Sequence, residues 1–232
     1  GDASHLLLDR RDVHTAGVVV VSSDRGLAGG DNSTVIRLAE RRLVEHRAQG
    51  RQYRLYVVGK KAQSYLRFRG YRIERAFLGV TDTPNYGDAR AIATSIMDEY
   101  VARSVDSVEV FHTRFVSALT QQAVRFDLLP IVPPEAPEGE MPTTFTFEPA
   151  PDQILNRLLP RYVEAGVFGM LLDSSASEHA ARQTAMKAAT ENAEELIKVL
   201  SRVANQARQA EITTEISEIV GGAEALSQAR EA

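Results

Sequence analysis

Met186-Lys187-Ala188-Ala189-Thr190-Glu191-Asn192-Ala193-Glu194-Glu195-Leu196-Ile197-Lys198-Val199-Leu200 is built almost wholly of good helix formers. Its apolar positions continue beyond the quoted run: Met186, Ala189, Ala193, Leu196, Leu200, Val203, Ala207 and Ala210 step alternately by 3 and 4. That spacing is a heptad seam, so something helical is expected to lie against it. The helical composition extends in both directions, from Pro151 to about Ala225, interrupted by Pro160. At 1.5 Å per residue such a helix would reach ~110 Å, whereas a globule of the preceding residues should have a radius of gyration of ~15 Å. A rod of that length cannot bury itself against its own domain.

Toward the N-terminal side the rod changes character. Leu155, Leu158, Leu159, Tyr162, Val163, Val167, Phe168, Met170, Leu171 and Leu172 form a wide, bulky face suited to packing on a sheet. After Ala210 the apolar set slips in phase to Ile212, Ile216, Ile219, Ala223 and Leu226. Between base and seam, Ser175-Ala176-Ser177-Glu178 has the form of a capping box and is the place where the helix could break. Glu191 to Glu195 before Lys198 and Arg202 reads as a solvated face with helical i,i+3 and i,i+4 charge support.

The preceding residues alternate strand and helix. Gly17-Val18-Val19-Val20-Val21-Ser22 is short, β-branched and apolar on both faces, the pattern of a buried parallel strand. It ends in Ser23-Asp24-Arg25-Gly26-Leu27-Ala28-Gly29-Gly30, after which Asp31 or Asn32 can cap a helix carrying Val35, Leu38, Ala39 and Leu43. Tyr53 to Val58, closed by Gly59, reads as a second strand and Lys60 to Phe68 as a helix. Tyr86 to Val101 reads as a helix, Val108 to Phe115 as a strand, and Gln122 to Leu129 as extended chain. Pro130 to Pro142 is a proline-rich loop, and Thr143 to Phe147 is expected to form a last strand. The fold class expected is α/β, with an α/β domain over 1–150 and a long helix over 151–232.

The chemistry available is sparse. With 232 residues, 44% hydrophobic, 25% charged and a net charge of -4, the composition gives no basic footprint for nucleic acid. The absence of cysteine excludes disulfides and thiolate chemistry. No apolar run approaches the ~18 residues that span a bilayer. Gly1-Asp2-Ala3-Ser4 lacks the pattern of a signal peptide. The five histidines show no metal-ligand spacing, and no nucleophile elbow is present. Gly26, Gly29 and Gly30 after a buried strand could cradle a phosphate, but the spacing matches neither dinucleotide nor P-loop patterns. A nucleotide-binding α/β enzyme using the loop 24–30 is therefore the alternative function, with a coiled-coil adaptor as a third. Asp24 and Arg25 could form an acid and its partner in that loop, or a plain surface pair.

Several stretches resemble the gamma subunit of rotary ATP synthase. They are Ser23 to Gly30 with Asn32, Val58-Gly59-Lys60-Lys61-Ala62, Leu158-Leu159-Pro160-Arg161-Tyr162, Ser177 to Ala193, and Ala207 to Val220. The resemblance covers nearly the whole chain in the family's order. It implies a Rossmann-like domain that binds no nucleotide and uses no cofactor, followed by a helix forming half of an antiparallel coiled coil. It further implies a non-catalytic rotor shaft of a proton-translocating enzyme, inside a ring of alpha and beta subunits. Arg182, Arg208, Gln209, Thr213 and Glu215 are the positions that the motifs assign to contacts with catalytic-subunit loops. The α/β domain would face an epsilon-type subunit and the membrane c-ring, at the cytoplasmic face of a bacterial plasma membrane, without inserting into it. The family begins with a long N-terminal helix wound on the C-terminal one, and the present residues start just before the first strand, which implies truncation. Ala28 stands where many members have Cys.

Overall fold

The computed structural model describes residues 5–132 and 151–231. They contain five strands, β1 (Thr15–Val21), β2 (Gln52–Val58), β3 (Ile73–Phe77), β4 (Ser107–Ser117) and β5 (Thr120–Leu129). Four helices accompany them, α1 (Asp31–Ala48), α2 (Lys60–Phe68), α3 (Tyr86–Val101) and α4 (Pro151–Glu231). By contact the chain divides into two compact units, Gly1–Ala185 and Met186–Ala232. The first 35 residues of α4 thus pack with the sheet. The expected strand Thr143 to Phe147 and the loop residues 133–142 lie outside the described residues.

In the first unit the strands form one sheet in the order β3-β2-β1-β4-β5, with β5 antiparallel and the rest parallel. This is the Rossmann-like α/β arrangement expected, with a mixed rather than purely parallel sheet. β1 sits at the centre and is buried along both faces, as its unbroken valine run requires. Val19 and Val21 point into a core shared with α3 and the first part of α4, while Val18 and Val20 point into a core shared with α1 and α2. α2 and α3 have the bounds that the sequence pattern gives. Asn85 closes a full capping box on Asp88 at the start of α3.

One local expectation is corrected, one strand lies outside the expectations, and the helix runs through a site where the sequence leaves a break open. The cap position of α1 is held by Gly30, with no side-chain cap bond; Asn32 instead accepts from the Ser23 amide at 2.8 Å. β3 was not expected, because Ile73-Glu74-Arg75-Ala76-Phe77 is a half-exposed edge strand with two charges. The capping box at Ser175 does not break α4, which is helical through Ser175-Ala176-Ser177-Glu178. Gly59, at the end of β2, has φ +93, and a Cβ there would stand 2.1 Å from the Ser22 carbonyl oxygen. Only glycine lets β1 and β2 approach so closely at that turn.

α1 is fastened to β4 by a buried ionic group. Arg42 donates to Glu109 through Nε at 2.9 Å and Nη2 at 2.6 Å, and His46 Nε2 lies 3.3 Å from the same carboxylate. Burial by itself would raise the Glu109 carboxyl, but hydrogen bonds from His46 and Arg42 and the Arg42 charge outweigh it and hold its pKa at about 2. A carboxyl depressed on folding stabilises the protein above its unfolded pKa of ~4.3 and loses that contribution as pH falls through the folded value. The expected loss is about 3 kcal/mol between roughly pH 4.5 and 2. Urea unfolding at several pH values checks this, and Glu109→Gln should flatten the acid limb while lowering stability at neutral pH.

Candidate functional site

In an open α/β sheet of this kind, ligands enter a crevice at the carboxyl ends of the strands where the strand order reverses. Here that point lies between β1 and β4, and α4 occupies it. Ser177, fully buried, directs its hydroxyl to the Thr113 carbonyl at 3.4 Å, and Ser175 bonds the Asp82 carbonyl at 3.1 Å. Arg182 Nε donates to the Gly26 carbonyl at 3.3 Å. Ala185 lies beside Gly29, its Cβ 3.9 Å from where a Gly29 side chain would begin. The small residues of this part of α4 are what allow the helix to approach the loop so closely.

The Asp24 end of the Gly-rich loop is also held by neighbouring groups. Asp24 accepts from the Thr81 hydroxyl at 2.9 Å and from the Lys60 amide at 3.1 Å. It thereby takes the anion position at the start of α2 that a phosphate would need. Burial opposes ionisation of Asp24, but backbone bonds from Gly79, Thr81 and Lys60 and the Thr81 hydroxyl leave its carboxyl below the usual range. Arg25 does not pair with Asp24, as the sequence allowed; it meets Asp82 at 3.0 Å. With α4 in the crevice and Asp24 at the start of α2, the nucleotide-binding alternative finds no open crevice at this loop. Among the described residues, no group of His, Asp and Glu is placed to hold a metal ion.

The charged centre of the junction is Glu178 with Arg182. Glu178 is 2% exposed, and Arg182, one turn on, is hydrogen-bonded to it. Burial pushes the Glu178 carboxyl up, and the Arg182 hydrogen bond and charge only partly bring it down. Arg182 consequently has two fixed contacts, a carboxylate on its own helix and a carbonyl of the Gly-rich loop. His179 lies alongside, 3.3 Å from the Asp82 carbonyl. Sequence reading singled out Arg182 but missed Glu178 as its partner, although the i,i+4 spacing of an acid and an arginine was a legible signal.

The other assigned residues lie in the second unit. Arg208, Gln209, Thr213 and Glu215 are all exposed. The Thr213 hydroxyl donates to the Gln209 carbonyl at 2.8 Å, and Ser217 returns to Thr213 at 2.9 Å. The structure thus groups four of the five residues on successive turns and places Arg182 in the other unit. The ion pair found on this stretch is Lys187 to Glu191 at 4.0 Å, rather than the pairs expected around Lys198 and Arg202.

A family model described as ATP synthase matches residues 1–226. The ATP synthase gamma chain of Saccharopolyspora erythraea is 45% identical over 97% of this chain and 78% of its own length. That of Streptomyces griseus is 46% identical over 98% and 78%. The chain belongs to the ATP synthase gamma family. Among solved structures, the Tetrahymena thermophila mitochondrial ATP synthase central stalk/c-ring has a chain with TM-score 0.63 and 25% identity. That match covers 78% of this chain and 79% of the other. A Euglena gracilis mitochondrial ATP synthase chain shares the fold at TM-score 0.71 and 18% identity, over 95% and 75%. As a gamma chain it is a non-catalytic subunit, the rotor shaft of the synthase. No helix among the described residues is long and apolar enough to cross a membrane.

Removing Arg182 would leave Glu178 buried without its cation. Arg182→Ala is expected to cost about 3 kcal/mol, with a larger loss at pH 8 than at pH 5, because a carboxyl with a raised folded pKa destabilises progressively as pH rises. Glu178→Gln in the same chain should recover most of that loss. Denaturant unfolding of the two single variants and the double variant measures the coupling.

Proposed function

We propose that this chain couples the turning of a membrane c-ring to the alpha and beta subunits of an ATP synthase head through the two ends of α4. In this reading the α/β domain, 1–150, faces the epsilon-type subunit and the c-ring, and the shaft helix, 151–232, enters the ring of alpha and beta subunits. Arg182, Arg208, Gln209, Thr213 and Glu215 meet the loops of the catalytic subunits. The enzyme is proton-translocating and sits at the cytoplasmic face of a bacterial plasma membrane, with this subunit peripheral. The bacterial sources of the gamma chains it matches support that placement.

The observation that carries the proposal is the uncovered seam of the second unit. Leu196 and Leu200 are each 57% exposed and Val203 is 55% exposed. Covering a Leu or Val side chain contributes ~1.5–3 kcal/mol, so a heptad run of them left in water is a strong drive toward a helical partner. An antiparallel helix of the kind with which the family begins would cover it. The polar group at Arg208 to Glu215 follows the seam and is suited to hydrogen bonding with surrounding loops. Solved structures that share this fold include a Tetrahymena thermophila mitochondrial ATP synthase central stalk/c-ring and a Euglena gracilis mitochondrial ATP synthase rotor, consistent with that use of the helix.

Replacing both Gln209 and Thr213 by Ala removes two outward hydrogen-bonding groups from an exposed helical surface. At ~1 kcal/mol each, assembly with alpha and beta subunits should weaken by roughly 30-fold, and ATP hydrolysis should be less tightly coupled to proton movement. The stability of the first unit should be unchanged. Assembly and proton-pumping assays on the reconstituted complex make the check, and full coupling in the double variant would remove these residues from the interface.

A further inference from the structure

The end of the sheet opposite the Gly-rich loop carries a basic groove that the shaft function does not use. It has a volume of about 610 Å³ and is lined by Arg47, Arg51, Arg54 and Arg72 with Tyr53, against the single acid Glu74. The whole chain carries a net charge of -4, so this concentration of arginine is local. Arg54 is committed to Glu99 at 2.8 Å and lies 3.9 Å from Glu74. Arg47 donates to the Tyr53 hydroxyl at 2.5 Å, and its guanidinium carbon lies 5.2 and 5.4 Å from the ring centroids of Tyr53 and Tyr71, which orders the group without neutralising it. Arg51 and Arg72 have no ion pair among the described residues. Three of the last four carbonyls of α1, those of Glu45, His46 and Arg47, accept amides of Gln49, Gly50 and Arg51, which blunts their opposition to an anion here.

We propose that this groove is an anion site for a phosphate group, held by Arg47, Arg51 and Arg72 and supplied by the headgroup of an anionic lipid or by free phosphate. The three arginines line the groove from three segments, the end of α1, the turn before β2 and the residue before β3. Planar guanidinium forks match the tetrahedral oxygens of a phosphate bidentately, whereas ammonium groups would serve only as point charges. The groove includes no lysine. Gln52 and Ser104 in the wall add neutral donors.

The position of the groove bears on where the phosphate comes from. Gly17 of β1 pairs with Val108 of β4, which pairs with Leu129, so Leu129 marks the amino end of the parallel strands. Leu159 and Val163 of α4 share a core with Leu129, whereas Arg182 reaches the loop at the carboxyl end. The groove, at Thr15, Gln52 and Arg72, is therefore at the end of the domain away from Arg182. If Arg182 faces the catalytic head, as proposed above, the groove faces the membrane. The lipid source rests on that reading, while the phosphate chemistry does not.

The test uses the full chain. Co-sedimentation with phosphatidylcholine vesicles containing cardiolipin should exceed that with phosphatidylcholine alone and should be competed by inorganic phosphate. Arg51→Ala with Arg72→Ala should weaken it by about 30-fold. Arg51→Lys with Arg72→Lys should fall between the two, and circular dichroism should confirm that both variants fold. Inorganic phosphate that binds without any preference for cardiolipin vesicles, and is lost in the same variants, assigns the site to free phosphate. Absence of both kinds of binding, binding unaffected by the variants, or binding of polyglutamate in place of phosphate would each overturn the proposal. Assembly with alpha and beta subunits is measured separately. Phosphate binding by a chain that fails to assemble would refute the shaft reading and leave the anion site standing.

Discussion

The contact on which the first unit depends is the closure of α4 over the crevice between β1 and β4. Val163, Leu171 and Ser177 are essentially inaccessible, and they place one helix face against both the apolar sheet and its polar upper rim. The apolar part of that contact follows from hydrophobic area. The polar part is more demanding, because Ser175, Ser177 and Glu178 can be buried only if each finds a partner. Asp82, Thr113 and Arg182 supply those partners. The same closure fills the place where a related sheet would take a nucleotide. A ligand-binding topology has been turned into a socket for a helix.

This explains why one chain can combine a sheet domain with a helix whose later residues form a unit of their own. The socket ends near Ala185, and from Met186 onward the helix buries none of its side chains in the described structure. Its apolar seam and its polar residues are left facing solvent, open to the partners proposed above. Arg182 stands at the last turn of the socket, with its guanidinium committed to Glu178 and the Gly26 carbonyl. A contact to a catalytic subunit at that point would act directly on the loop that follows β1.

Much of this was legible from residue order alone. The valine run of β1, the bounds of α2 and α3, and the heptad seam all rest on local patterns, and local patterns survive folding when they agree with the tertiary structure. What was missed or left open has specific causes. The serines at 175 and 177 read as a cap because hydroxyls favour helix starts, but carbonyls of Asp82 and Thr113, far away in sequence, compete for them. β3 was hidden by its charges, since an edge strand needs no continuous apolar run. The Arg42, His46 and Glu109 group joins residues more than 60 positions apart and left no periodic trace. At the proposed partner site, motif resemblance pointed to residues whose exposure is visible here, while composition could say only that they were a solvated helical face. The basic groove escaped notice because its arginines are spread over three segments and vanish into an acidic net charge.

The central claim is that this chain turns as a shaft inside a catalytic ring. The most direct measurement is to fix the alpha and beta subunits of a complex containing this chain to a surface, attach a bead to the α/β domain, and add ATP. The account predicts unidirectional rotation of the bead in steps, arrested when ATP is withdrawn. A bead that stays still while the same complexes hydrolyse ATP would contradict it.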